Sequence, residues 1–291
     1  MPELPEVETI RLGLSTVLEG HRLTRVVTRR ADLRVPFSPN FVERLTGRRI
    51  TTLKRRAKYL LAETNGPDTL VIHLGMSGRL TIFDADGLRA PGNFSRKGPY
   101  FMDKHGAHDH VLLETESGTR IVYTDPRRFG LMILAKTHSL AEHPLFNKMG
   151  PEPLDQGFSD KCLSGALRTK RTPIKAALLD QRVVAGLGNI YVCEALYRAR
   201  ISPKRIAASV AGVRAQRLVP AIKEILREAI TAGGSSLRDY VRIDGELGYF
   251  QHKFSVYDRQ GESCQRKSCS GKIKRFVQAG RSTWYCSNCQ R

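Results

Sequence analysis

The chain has 291 residues and a mass of 32.6 kDa, which suits two domains or one domain with a small appendage. Lys and Arg total 48 against 28 Asp and Glu, a net charge of +20 with a pI near 10.1, and such an excess points to a polyanion, nucleic acid ahead of an anionic lipid surface because no amphipathic anchor is evident. A hydrophobic fraction of 41% with mean hydropathy −0.33 excludes wholesale disorder, and the lack of a long apolar run or a basic-then-apolar start argues against a membrane span or secretion signal.

The chain opens Met1-Pro2-Glu3-Leu4-Pro5-Glu6-Val7-Glu8. Pro5 suits the first turn of a helix, Val7, Ile10, Leu14 and Val17 follow at helical spacing, and Gly20 ends the run. Glu6 and Glu8 fall near the positive end of that helix dipole. Residues 21–134 read as mostly β, with short branched or alternating runs at Leu70–Leu74, Leu80–Phe83, Val111–Leu113 and Ile121–Tyr123. Many short strands predict a sandwich or barrel. A polar Gly/Pro-rich stretch at 84–107 reads as a surface loop, and 136–157, with its prolines and glycines, as an interdomain linker.

The pattern then turns helical. Thr172-Pro173 reads as a cap and first turn ahead of Ile174, Ala177 and Leu178. Asn189 opens a second helix, and a third carries Leu218, Ile222, Ile225 and Ala229 and stops at Gly233-Gly234. Residues 235–257 are loop-like, and 258–291 form a separate basic module.

That module holds four of the six cysteines. Cys264-x4-Cys269, sixteen residues, then Cys286-x2-Cys289 supplies two pairs of soft ligands for one tetrahedral zinc. Two disulfides are the alternative, disfavoured because Cys162 and Cys193 stand alone and the chain lacks a secreted scaffold's cysteine pattern. A closed four-Cys site has no open coordination position, so its zinc is structural. Lys272, Lys274, Arg275 and Arg281 lie between the pairs and suit either phosphate contact or a solvated basic face.

Other motifs are weaker. Gly186-Leu187-Gly188-Asn189 between two helices offers backbone N–H groups and a helix start to a phosphate, or is a tight turn with Asn189 as a cap. Met76, in His73-Leu74-Gly75-Met76, and Phe129, in Arg127-Arg128-Phe129, read as core residues before they read as wedges in a base stack. Lys58 reads as an ordinary surface lysine. Pro2-Glu3 reads first as an ordinary helix start, and removal of Met1 would turn Pro2 into a secondary-amine nucleophile. An α-amino pKa of about 7.7–8.0 leaves a neutral fraction near physiological pH, and Glu3 and Glu6 stand close in sequence to move protons.

Together these pieces resemble the bacterial formamidopyrimidine-DNA glycosylase family. The match is carried by Pro2–Glu8, Arg55–Tyr59, His73–Gly78, Asp125–Gly130, Gly150–Leu154, Val184–Tyr191 and the four-Cys ribbon, in family order over nearly the whole chain. The resemblance implies an α+β fold: an N-terminal β-sandwich flanked by helices over 2–135, a linker at 136–157, a helix-two-turns-helix domain with a lesion-covering loop over 158–257, and a zinc-finger β-hairpin over 258–291. Damaged double-stranded DNA is expected to lie in a basic cleft between domains. The implied activity is excision of oxidised purines, 8-oxoguanine and formamidopyrimidines, with strand cleavage by β,δ-elimination.

The resemblance also implies roles. Pro2 attacks C1′ and forms the Schiff base, Glu3 is the acid/base, and Glu6 supports the site. Lys58 and Arg281 serve phosphate binding and the successive eliminations. His73 and Asn189 contact phosphates. Met76, Arg127 and Phe129 fill the space of the extruded base, and His108 and Lys170 make further DNA contacts. No metal beyond the structural zinc, no nucleotide cofactor and no membrane are implied, and the expected protein is a cytoplasmic bacterial monomer.

Two features depart from the common family pattern: four residues rather than two separate the first cysteine pair, and 84–107 is longer than expected. The rival readings are the sister branch that prefers oxidised pyrimidines, a DNA binder without chemistry, and a zinc-ribbon protein of RNA or ribosomes.

Overall fold

A computed structural model describes residues 1–84, 106–235 and 249–291. The chain divides into two compact units, the first built from residues 1–147 and 232–249 and the second from 148–231 and 250–291.

The first unit begins with α1 (Leu4–Leu18), whose apolar stripe of Leu4, Val7, Ile10, Leu14 and Leu18 is buried. The helix stops ahead of Gly20, which takes φ +78°, a conformation open to glycine without a Cβ penalty. Strand β1 (Leu23–Thr28), the short α2 (Phe41–Leu45), β2 (Ile50–Arg56), β3 (Tyr59–Thr64), β4 (Asp68–His73) and β5 (Arg79–Phe83) follow. Strands β6 (Asp109–Thr115), β7 (Arg120–Thr124) and β8 (Leu131–Lys136) complete two antiparallel sheets, ordered β1-β6-β7-β5 and β2-β3-β4-β8. Val26, Val111 and Ile121 from one sheet and Leu53, Leu60, Leu70 and Ile72 from the other share one core with Val7, Ile10, Leu14 and Leu18 of α1. This is a sandwich, one of the two architectures that the short strands predict and the one that the resemblance implies. Each sequence-predicted run lies in a strand except Leu74, one residue past β4, so the short branched and alternating runs located β4 to β7 to within a few residues.

The second unit contains α3 (Asp160–Leu167), α4 (Ile174–Leu179), α5 (Asn189–Arg198) and α6 (Val213–Thr231), then the hairpin β9 (Ile273–Gln278) and β10 (Arg281–Cys286). The expected Thr172 cap is not found. Pro173 occupies the cap position of α4 in extended conformation, so the helix starts one residue later and has no side-chain cap. Asn189 is the first residue of α5, but Gly188 is the cap residue and the Asn189 side chain is used elsewhere. Among the described residues no helix is long and apolar enough to cross a membrane. The 84–107 loop lies outside the described residues except at its ends, and so do residues 236–248 of the region expected to hold the lesion-covering loop.

Candidate active site and nucleic-acid interface

Pro2, Glu3 and Glu6 are all buried at the start of α1. Glu3 is the residue before the helix, and its N–H donates to Glu6 Oε2 at 2.9 Å. The other Glu6 oxygen accepts from the N–H and hydroxyl of Ser235, at 2.9 and 3.0 Å. A carboxylate with both oxygens committed to donors is fixed in place, so α1 presents Pro2 and Glu3 from a rigid base.

Lys58 corrects its first reading. It lies in the two-residue turn joining β2 and β3, where Ala57 takes φ +53°, and only 7% of its surface is exposed. The β3–β4 register pairs Tyr59 with His73, and their rings stand 4.8 Å apart. The His73 pKa falls to about 4, first because burial disfavours the imidazolium and then because the charges of Arg34 and Lys58 repel it. His73 Nδ1 accepts the N–H of Gly75 at 3.1 Å, so the neutral ring carries its proton on Nε2, a donor for a phosphate oxygen.

The loops after β4 and after β7 form one tip. Gly75, at φ +65°, packs so closely on the Phe129 backbone that a Cβ there would sit 2.3 Å from its carbonyl carbon. Buried Asp125 ties the loops together: Oδ1 accepts from Ser77 Oγ at 2.6 Å, and Oδ2 accepts from Tyr123 Oη at 3.0 Å and Gly130 N at 2.8 Å. Burial beside this carboxylate pushes the Tyr123 phenol far above its usual range. Met76 and Phe129, read first as core residues, project from the tip at 39% and 43% exposure, and the Arg127 guanidinium stacks on Phe129 at 4.7 Å. Exposed apolar tips on a braced loop are costly to leave in water and suit insertion into a stack. His108 is exposed on the strand side of this region, and its carbonyl accepts the Asp125 N–H at 3.0 Å.

In the second unit, Asn189 Nδ2 donates to the Ser282 carbonyl at 3.0 Å. Lys175, fully buried on α4, donates to the same carbonyl at 3.0 Å and to Thr283 Oγ1 at 2.7 Å. Two donors thus dock the start of β10, whose first residue is exposed Arg281. The β9–β10 turn is Ala279-Gly280, both at positive φ, the conformation that matches the twist of a two-residue hairpin. Gln181 braces the Gly186 turn by accepting from Gly186 N at 2.8 Å and donating to Leu187 O at 3.0 Å. Lys170 pairs with Asp180 at 3.6 Å. Lys175, Gln181 and Asp125 were missed as functional residues. Only Asp125 lay in a quoted motif, and a lysine beside an apolar stripe carries little signal.

The four cysteine sulfurs lie within 4.8 Å of one another. Cys264–Cys289 and Cys269–Cys286 are separated by 3.8 and 3.6 Å. A tetrahedron with Zn–S bonds of about 2.3 Å has edges of about 3.8 Å, whereas a disulfide needs about 2.05 Å. The set fits one structural zinc, and the six-residue segment from Cys264 to Cys269 closes the knuckle through Cys264 N–H to Gly271 O and Cys269 N–H to Arg266 O.

Family models match along the chain: the formamidopyrimidine-DNA glycosylase N-terminal domain at 1–132, its H2TH domain at 149–241, and the zinc finger found in FPG and IleRS at 261–291. The chain belongs to the formamidopyrimidine-DNA glycosylase family. Curated relatives carry that name, among them proteins of Phenylobacterium zucineum (strain HLK1), 57% identical, and Rhodopseudomonas palustris (strain BisA53), 54% identical, each matched over 100% of both chains. The crystal structure of the MutM (FPG) protein of Thermus thermophilus is similar at a TM-score of 0.83 and 38% identity, covering 99% of this chain and 98% of that one. A Lactococcus lactis FPG mutant in complex with Fapy-dG containing DNA is similar at 0.86 and 33%, over 100% of both. For this family member the zinc finger and the four-sulfur cluster assign one structural zinc.

Proposed function

We propose that this chain is a bifunctional DNA glycosylase and AP lyase of base-excision repair that removes oxidised and ring-opened purines from duplex DNA. The observation that carries this reading is the buried Pro2-Glu3-Glu6 start of α1 in a chain of this family. Once Met1 is removed, the Pro2 nitrogen attacks C1′ of the damaged nucleotide. The N-glycosidic bond breaks, and the base departs with a proton. Glu3 moves protons on the sugar, and Glu6 keeps α1 in register. The iminium acidifies C2′, and loss of that proton expels the 3′ phosphate, with the 5′ phosphate following in a second elimination. Lys58 serves the eliminations as proton donor and phosphate contact, and Arg281 serves the second at the hairpin tip.

His73, Asn189, Lys170 and His108 hold phosphates, and Met76, Arg127 and Phe129 fill the vacated stack, which offsets the cost of extrusion. The chemistry needs no nucleotide cofactor. The protein works as a monomer on the DNA of the bacterial nucleoid, in the cytoplasm.

Borohydride trapping on a duplex with 8-oxoguanine opposite cytosine, with mass spectrometry of the adduct, tests the reading. An adduct on Pro2 is expected. Tight binding with no adduct would sink the enzymatic reading, and trapping only on an oxidised-pyrimidine duplex would move the protein to the sister branch.

A further inference from the structure

A cavity of about 650 Å³ in the second unit lies where the zinc knuckles meet the start of α6. Six arginines line it: Arg200, Arg205, Arg214, Arg217, Arg266 and Arg291. Elsewhere in this unit guanidiniums find carboxylates, as Arg198 does with Glu228 and Arg182 with Asp180. Among the described residues none of the six pairs with an Asp or Glu side chain. Three of them are held by the protein itself. Arg266 stacks on Tyr197 at 4.6 Å with its Nε buried and unpartnered, Arg214 donates to Ser209 O, and Arg205 donates to Arg291 O. Arg214 and Arg217 stand in the opening turns of α6, where the helix dipole disfavours cations and no acidic residue offsets them. This placement does not serve helix stability.

The zinc centre does not use up this charge. A zinc tetrathiolate would carry two net negative charges, which leaves four of the six positive charges uncompensated. Nor does the cavity belong to the interface described above. It is lined by Cys269, Asn288 and Cys289 at the knuckle end of the hairpin, whereas Arg281 is at the tip. The register from Cys286–Ile273 to Arg281–Gln278 spans five steps, about 17 Å along a strand.

We propose that this cavity is a second, non-catalytic anion site that takes two or more linked phosphate groups. Arginine recognises phosphate by paired N–H bonds, and one phosphate has too few oxygens to engage six guanidiniums. The volume is that of a small-molecule site, and Ser268 and Ser270 add hydroxyl-bearing side chains to its lining. Linked phosphates come from a free oligophosphate or from a nucleic-acid strand.

Calorimetric titration of inorganic tripolyphosphate into the full-length zinc-loaded protein reads the site. Binding at one per chain is expected, weakened at least tenfold in Arg214→Glu/Arg217→Glu with zinc content unchanged and borohydride trapping within twofold of wild type. Arg281→Ala is expected to leave tripolyphosphate binding intact. Arg200→Gln/Arg205→Gln gives the same reading if charge reversal unsettles α6. No binding, equal affinity in wild type and both double variants, or loss of binding in Arg281→Ala overturns the proposal. A single-stranded decanucleotide that displaces tripolyphosphate identifies a nucleic-acid strand as the source, and one that leaves it bound identifies a free oligophosphate.

Discussion

Glu6 and Ser235, 229 residues apart in sequence, are joined by two hydrogen bonds to a single carboxylate oxygen. The other oxygen of Glu6 holds the N–H of Glu3, so one buried side chain fixes both the start of α1 and the residue after Gly233 and Gly234, which take φ +75° and +80°. Replacement of Glu6 by Gln keeps the shape but turns one acceptor into a donor that faces an N–H. Hydrogen bonds to charged groups contribute about 1.5–3 kcal/mol, so Glu6→Gln is expected to lower stability by that order and strand cleavage at least tenfold. Ser235→Ala, which keeps the backbone donor, is expected to cost less than half as much. Thermal melts and single-turnover cleavage of both variants check the order, and equal effects would contradict the shared anchor.

His73 makes stability depend on pH. Its pKa in the folded protein, about 4, lies below the ordinary 6.5, so between these values the unfolded chain binds more protons. The contribution is fully present above pH 6.5 and is lost as pH falls through about 4. Its ceiling is about 3 kcal/mol, at about 1.36 kcal/mol per pKa unit. Protonation also removes the Nδ1 acceptor of the Gly75 N–H. Denaturant melts from pH 4 to 7 should be steeper for wild type than for His73→Gln. Parallel curves would show that His73 does not carry the slope.

Gly75→Ala tests the brace between the two loops. The new Cβ meets the Phe129 carbonyl carbon at 2.3 Å and φ is +65°, so neither local relaxation nor rotamer choice relieves the contact. A loss of about 1–3 kcal/mol is expected, with excision from duplex DNA falling more than excision from a single strand, which needs no wedge. Equal losses on both substrates would separate Met76 and Phe129 from extrusion.

Lys175→Met removes the buried ammonium from the Ser282 carbonyl and Thr283 hydroxyl but keeps the bulk of the chain. Unpaired buried acceptors cost about 1–3 kcal/mol. The variant is expected to retain zinc, melt lower, and bind DNA more weakly because Arg281 loses its fixed base. Wild-type affinity together with a lowered melting point would confine Lys175 to stability.

Cys286→Ser is expected to release zinc, measured by elemental analysis, and to unfold the hairpin, since a structural zinc in so small a module supplies much of its folding energy. A metal-free variant with an intact melt and full DNA affinity would overturn the structural role of the ion.

Local pattern located β4 to β7, the long helices and the four-cysteine set, because alternation of apolar residues and ligand spacing are local properties of the chain. The order of motifs was enough to identify the family. Side-chain environment was not local. Lys58 looked like a surface lysine and is buried at a hairpin turn, while Met76 and Phe129 looked like core and project into solvent. Asn189 looked like a cap and instead holds the Ser282 carbonyl 93 residues away. The partners of Asp125, Lys175 and Glu6 come from strands, loops and helices that meet only when the sheets and the hairpin close. Burial, the tautomer of His73 and the gathering of six arginines beside the zinc knuckles are set by those distant neighbours, so the tertiary structure alone decided them.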